Sequence, residues 1–189
     1  MFSTELATLT DVRVRPATLQ DAAAIAKVRV DSWRATYRGM IPDSYLDAMS
    51  LEDSTELWER IMSAPAGANR SVFVAESQAG VIGFAAGMLL AEEKLGFDSE
   101  LTGIYLQPQA QRQGLGQRLV KAVAQDCAAR GAAGMLVWVI SANKMARQFY
   151  EKLNGELLIE QPFTWDGLEL HEAGYGWRNL AAFIRTLPQ

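Results

Sequence analysis

Gln111-Arg112-Gln113-Gly114-Leu115-Gly116-Gln117 follows an apolar, strand-like run at residues 101–106 and precedes a helical pattern that reaches about Arg130. The first four N–H groups of a helix have no intrahelical partner, and the helix dipole favours an anion beside them. Two glycines at such a start let a phosphate approach the backbone closely, because glycine has no Cβ. The spacing therefore predicts a pyrophosphate seat. It is not a Walker loop, since no Gly-x-x-x-x-Gly-Lys-Ser/Thr occurs in the chain. It is not a dinucleotide fingerprint either, because the position for a third glycine is Leu119. The glycines also have a plainer reading, a turn that merely starts a helix.

Working outward, Met135–Ile140 is six apolar residues in a row, the mark of a strand buried on both faces. Residues 143–153 are helical, with Met145, Phe149 and Leu153 at i, i+4 and i+8 and Gly155 as a stop. Asp166-Gly167 between two β-rich runs, Glu156–Trp165 and Leu168–Trp177, predicts a hairpin.

Upstream, residues 71–76 and 81–90 flank Gln78-Ala79-Gly80 and read as another hairpin, followed by a charged loop at 92–98. Residues 12–14 form a short strand. A helix begins after Thr18 and Asp21, and the run from Trp33 to Pro42 breaks it. A second helix spans about Leu51–Met62, stopped by Pro65 and Gly67. The order β α α β β β α β α β β implies an α/β fold: a twisted mixed sheet with helices on both faces and one parallel, right-handed crossover. We expect a leader over 1–11, a single domain over 12–180 and a tail over 181–189.

The chain has 189 residues, enough for one domain with a sizeable core. A net charge of −4 argues against a nucleic-acid surface. One cysteine permits no intrachain disulfide, which suits a reducing cytoplasm. The N-terminal residues lack signal-peptide features, and no run reaches the ~20 apolar residues of a membrane span. One His and one Cys do not make a usual zinc site, so no metal is expected.

Residues 111–116 match Gln/Arg-x-x-Gly-x-Gly/Ala, and in this they resemble the coenzyme A loop of the Gcn5-related N-acetyltransferases. Ile104-Tyr105-Leu106-Gln107-Pro108 resembles that family's fourth strand, and Asn143 to Leu153 its Asn-x-x-Ala-x-x-Phe-Tyr helix. Residues 33–42 look like the acceptor-side loop of many bacterial members. The resemblance runs from about Val12 to Leu180.

It implies the family's acyl-CoA N-acyltransferase fold and transfer of acetyl from acetyl-CoA to a primary amine by direct attack in a ternary complex. It also allows a homodimer through sheet edges or the last hairpin. The strand ending at Leu106 should splay from Met135–Ile140, so that pantetheine pairs with the backbone of residues 104–106. Amides of Arg112, Gln113, Gly114, Leu115, Gly116 and Gln117, together with Gln111, should hold the pyrophosphate. Arg112 and Arg118 either add bonds to phosphate or are solvated surface arginines.

Tyr150, seven residues after Asn143, is the expected acid for the departing thiolate, since a phenol of pKa about 10 is protonated at neutral pH. Asn143 should bond pantetheine, cap the helix it opens, or do both. Some relatives place a glutamate base five residues before the Asn, where this chain has Trp138. Glu100 is the candidate base, with an exposed strand-end charge as its plainer reading. Trp33 and Tyr37 are expected to wall the acceptor pocket, although Trp33 also continues an apolar helix face. His171 reads as structural more readily than as a base, and Cys127 as core. A non-catalytic acyl-CoA-binding sensor on the same fold is the alternative function.

Overall fold

Alternation of side chains across a strand, and the 3.6-residue period of a helix, divide this chain into two packed faces of one sheet. The computed structural model describes residues 11–64 and 69–188. The strands are β1 Arg13–Pro16, β2 Arg70–Ser77, β3 Gly80–Lys94, β4 Phe97–Leu106, β5 Met135–Ile140, β6 Glu156–Trp165 and β7 Leu168–Trp177. The helices are α1 Ala22–Thr36, α2 Asp43–Ala48, α3 Leu51–Met62, α4 Leu115–Ala129, α5 Lys144–Lys152 and α6 Leu180–Thr186. No described helix is long and apolar enough to cross a membrane.

The sheet order is β1-β2-β3-β4-β5-β7-β6. Only β4 and β5 run parallel, joined by the α4 crossover. One core packs Leu119, Val123 and Cys127 of α4 against Met135, Val137 and Tyr175, with Leu180 and Phe183 of α6. The other sets Ile25 and Val28 of α1 and Trp58 of α3 on Val74 and Phe84. Burial pushes the Cys127 thiol up, in keeping with a core residue. In β5, Met135, Leu136, Val137 and Val139 are buried, while Trp138 and Ile140 are half-buried where the strand borders the gap.

Helix α1 ends within the aromatic run, as the sequence reading has it: it continues through Trp33 to Thr36, and Tyr37 caps it. Other elements depart from that reading. The short helix α2 was not anticipated. The stretch expected as a charged loop is mostly strand: β3 reaches Lys94, and Leu95-Gly96, both at positive φ, turn directly into β4. The expected tail instead contributes α6, held by burial of Leu180 and Phe183. The leader through residue 10, and the stop signals Pro65 and Gly67, lie outside the described residues.

The pairing of β4 with β5 positions the site. It covers only Ser99↔Met135, Glu100↔Leu136 and Leu101↔Val137. Beyond that, β4 runs on to Leu106 and β5 to Ile140 without pairing to each other. A bulge supplies the bend: Gly87 pairs Leu101 and Ala86 pairs Gly103, leaving Thr102 without a partner on β3. The extra residue also changes the facing of β4. Leu101, Ile104 and Leu106 pack toward α4, whereas Tyr105 packs on the α1 side.

An ion-pair network pins the start of α1. The Arg15 guanidinium donates to both oxygens of Asp21, at 2.7 and 2.9 Å, and to Glu76 at 2.7 and 2.9 Å. Asp21 also accepts the Thr18 N–H at 2.8 Å. Hydrogen bonding from Arg15 holds the Asp21 carboxyl at about 2, below its ordinary 3.8. A depressed carboxyl stabilises the fold above its unfolded pKa and loses that contribution as pH falls through the folded one. We expect Arg15→Met to lower stability at pH 7 by about 1–2 kcal/mol, after allowing for solvent screening. The gap to wild type should close as pH falls from about 4 toward about 2, as read by urea unfolding at each pH.

Candidate active site

Beyond Leu101 the gap between β4 and β5 opens into a cavity of about 910 Å³. It runs from the loop before α4 to the contact of α1 with the β6–β7 hairpin.

The loop end is built from unpaired backbone. Gly114 is the N-cap of α4 in a left-handed conformation (φ 77°), and Arg112 also has positive φ (61°). The first hydrogen bond of the helix is from Arg118 N–H to the Gly114 carbonyl, at 3.2 Å. The N–H groups from Arg112 to Gln117 find no acceptor among the described residues. This row, at the positive end of a 15-residue helix, can bind an anion.

Gly116 has a second reason to be glycine. A Cβ there would meet the Phe149 ring at 3.2 Å, so α4 and α5 approach closely at this point. Gln111, Arg112, Gly114, Gly116 and Gln117 line the cavity. Leu115 is buried in the core, which leaves only its backbone for a ligand. The Gln113 amide turns back to donate to the Gln109 carbonyl at 2.8 Å, and Gln113 does not line the cavity. Arg118 donates to the Val12 carbonyl at 2.8 Å, tying α4 to the residue before β1. That bond is structural.

Ile104, Tyr105 and Leu106 line the gap from the β4 side. The Leu106 carbonyl already accepts the Gln111 amide at 3.2 Å, which fastens the loop to the strand end. Asn143 lines the cavity and also caps α5, its Oδ1 accepting the Ala146 N–H at 3.0 Å.

Tyr150 is 5% exposed and lines the same cavity. Its side chain makes no hydrogen bond among the described residues. Burial pushes its phenol well above the usual value. It is therefore a neutral donor with no partner among the described residues.

The other end is aromatic. Trp33 packs on Tyr37 at 4.8 Å and on Trp165 at 5.0 Å between ring centroids. Tyr45 packs on Trp165 at 5.2 Å, and its hydroxyl donates to Asp166 at 3.0 Å. The tip of the β6–β7 hairpin thus docks on α1 and α2. Asp166 and Gly167, both at positive φ, make the tight turn that allows it. Burial keeps the Tyr37 and Tyr105 phenols neutral.

Glu100 is not brought into this site. It lies in the paired stretch of β4, opposite Met88 and Leu136, and accepts from Lys94 at 3.3 Å. It does not line the cavity, and neither does His171, which is exposed. The one carboxylate among the described lining residues is Glu172 on β7. It pairs with Ile140 in the sheet and accepts the Gln161 amide at 2.9 Å. Neighbouring Gly174 lets the Trp138 indole lie close, since a Cβ there would meet that ring at 3.0 Å.

The sequence reading missed Glu172, as it missed Arg29, Trp58, Trp138, Phe163 and Trp165, all of which line the cavity. One signal was present: Glu172, Gly174 and Gly176 alternate on β7, leaving room beside a single carboxylate. Among the described residues, no three of His, Cys, Asp or Glu cluster as metal ligands would.

This architecture has known counterparts. A family model described as FR47-like protein matches residues 80–164, from the start of β3 nearly to the end of β6. The uncharacterized N-acetyltransferase YuaI of Bacillus subtilis is 38% identical over 177 residues, covering 93% of this chain and 98% of that protein. Among solved structures, the PaiA N-acetyltransferase of Thermoplasma acidophilum, in complex with coenzyme A, superposes with a TM-score of 0.67 at 20% identity. That match covers 86% of this chain and 98% of the other. YncA of Salmonella typhimurium, a putative acetyltransferase with acetyl-CoA, gives 0.65 at 18% identity, covering 89% and 94%. An identity this high over nearly the whole of both chains settles the relationship: this chain belongs to the Gcn5-related N-acetyltransferase family.

Proposed function

We propose that this protein transfers an acetyl group from acetyl-CoA to a primary amine by direct attack in a ternary complex. The observation that carries the reading is that the unpaired N–H row of residues 112–117 and the unpartnered phenol of Tyr150 belong to one cavity. PaiA and YncA, with coenzyme A and acetyl-CoA, support the choice of donor.

The donor fits the residues present. The N–H row and the α4 dipole hold the pyrophosphate, with Arg112 beside them. The unpaired edge of β4 beyond Leu101 gives the pantetheine amides a strand to bond and the thioester oxygen a backbone donor. Asn143 stands beside this path.

Proton movement then divides between two residues. An alkylammonium of pKa about 10.4 must lose a proton to attack, and at pH 7 that costs about 4.6 kcal/mol. Glu172 attracts the ammonium and accepts the proton. On the leaving side, a phenol held above 10 gives its proton to a thiolate of ordinary pKa, about 8.5, only uphill, by roughly 2 kcal/mol or more. A hydrogen bond donated by Tyr150 to the sulfur as charge develops costs less than full transfer, and we assign it that role.

Tyr150→Phe should lower kcat about 100-fold while acetyl-CoA affinity changes less than threefold, measured by free-thiol release and calorimetry. A variant that turns over at the wild-type rate would remove Tyr150 from the chemistry. Wild-type protein that binds acetyl-CoA and releases no thiol with any amine would favour the sensor reading.

Glu172→Gln should cost about 100-fold in kcat/KM for the amine near pH 7. The loss should shrink as pH rises toward the amine pKa, because the free-amine fraction grows about tenfold per unit. An unchanged pH profile in the variant would rule out Glu172 as the base.

A further inference from the structure

The acceptor end of the cavity holds a cation with no counter-ion. Arg29 lies one helical turn before Trp33 on α1, and its guanidinium carbon sits 5.0 Å from the centre of that indole. It lines the cavity and makes no hydrogen bond or ion pair among the described residues. Neighbouring arginines are occupied. Arg34 donates to the Leu46 and Met49 carbonyls, and Arg38 pairs with Asp47. The other lining cations, Arg112 and Lys152, stand on the α4 and α5 side.

Trp33 and Trp58 also line the cavity, with the Trp33 indole beside Tyr105 and Trp58 packed edge-on against Phe84. Packing alone accounts for an arginine stacked on one tryptophan. It does not account for a guanidinium that lines a cavity with no carboxylate of the described residues in ion-pair reach. A ligand oxygen bearing negative charge would give Arg29 the charge-assisted partner it lacks there. The cavity's one carboxylate, Glu172, stands on β7, two strands beyond β4, on the opposite side of the gap.

We infer that the acceptor is a primary amine that also carries an anionic oxygen group, a carboxylate or a phosphate, with several bonds between the two. Arg29 receives the anionic end and Glu172 the amine, and the Trp33–Trp165 pair covers an apolar body between them. This rests on the acetyltransferase reading above. It makes Arg29 a specificity-determining residue, distinct from the groups that bind the donor.

The test uses acceptors matched in length and amine basicity: 6-aminohexanoate, 6-aminohexyl phosphate, hexylamine and 6-amino-1-hexanol, each assayed for thiol release with saturating acetyl-CoA. In the wild type, at least one anionic acceptor should exceed its neutral counterpart in kcat/KM by about tenfold or more. Whichever of carboxylate and phosphate gains more identifies the group. In Arg29→Gln the ratio should fall to about one, and Arg29→Lys should keep part of it. Equal turnover of charged and neutral acceptors by the wild type, or a ratio that survives in Arg29→Gln, would overturn the inference and leave acetyl transfer standing. Binding of acetyl-CoA with no thiol release for any acceptor would instead overturn the acetyltransferase reading, and this inference with it.

Discussion

The parallel pairing of β4 with β5 ends after three residue pairs, and much of the site depends on that short contact. The α4 crossover requires the two strands to be neighbours. The bulge at Thr102 requires one of them to bend away. Together these leave a wedge whose walls are unpaired backbone. The wedge opens at the C-terminal ends of both strands, where the loop before α4 also delivers its free N–H groups. A helix N-terminus binds an anion in many folds. Here it shares a cavity with an open strand edge, so a ligand with both a phosphate and an amide chain is favoured over a simple anion.

The second wall comes from insertion of β7 between β5 and β6. That order places the outer hairpin beside the open part of β5, and its tip reaches across to α1 and α2 through Trp165 and Asp166. Aromatic rings give this end a shaped apolar surface at low entropic cost. The charges within it are separated, with a guanidinium on α1 and a carboxylate on β7. The contrast between Glu100 and Glu172 follows from the same geometry. Glu100 belongs to the paired stretch and is engaged by Lys94, whereas Glu172 sits beside Ile140, where β5 has already left β4.

Local signals in the sequence translated into structure with few losses. The Gly114 turn, the Asn143 cap, the Asp166-Gly167 hairpin and the buried β5 run each depend on residues within a few positions of one another. Elements decided by packing were not legible in the same way. Residues 92–94 looked like part of a loop because they are charged, but β3 continues to Lys94, which pairs with Phe97 of β4. The segment after Leu180 looked like a tail because a helix of seven residues has little stability of its own. It forms where Leu180 and Phe183 meet the α4 core.

The sequence by itself determined the order of the seven strands and of α1, α3, α4 and α5, the glycine-capped start of α4 and the Asn143 cap of α5. In each case the physical cause lies within one helix turn, one loop or one strand. Only the tertiary structure decided which carboxylate faces the gap and which cation stands opposite it. Arg29 and Glu172 are 143 positions apart in the chain, and no local pattern joins them. Their relation exists because the sheet order places β7 beside the open end of β5 while α1 covers β4.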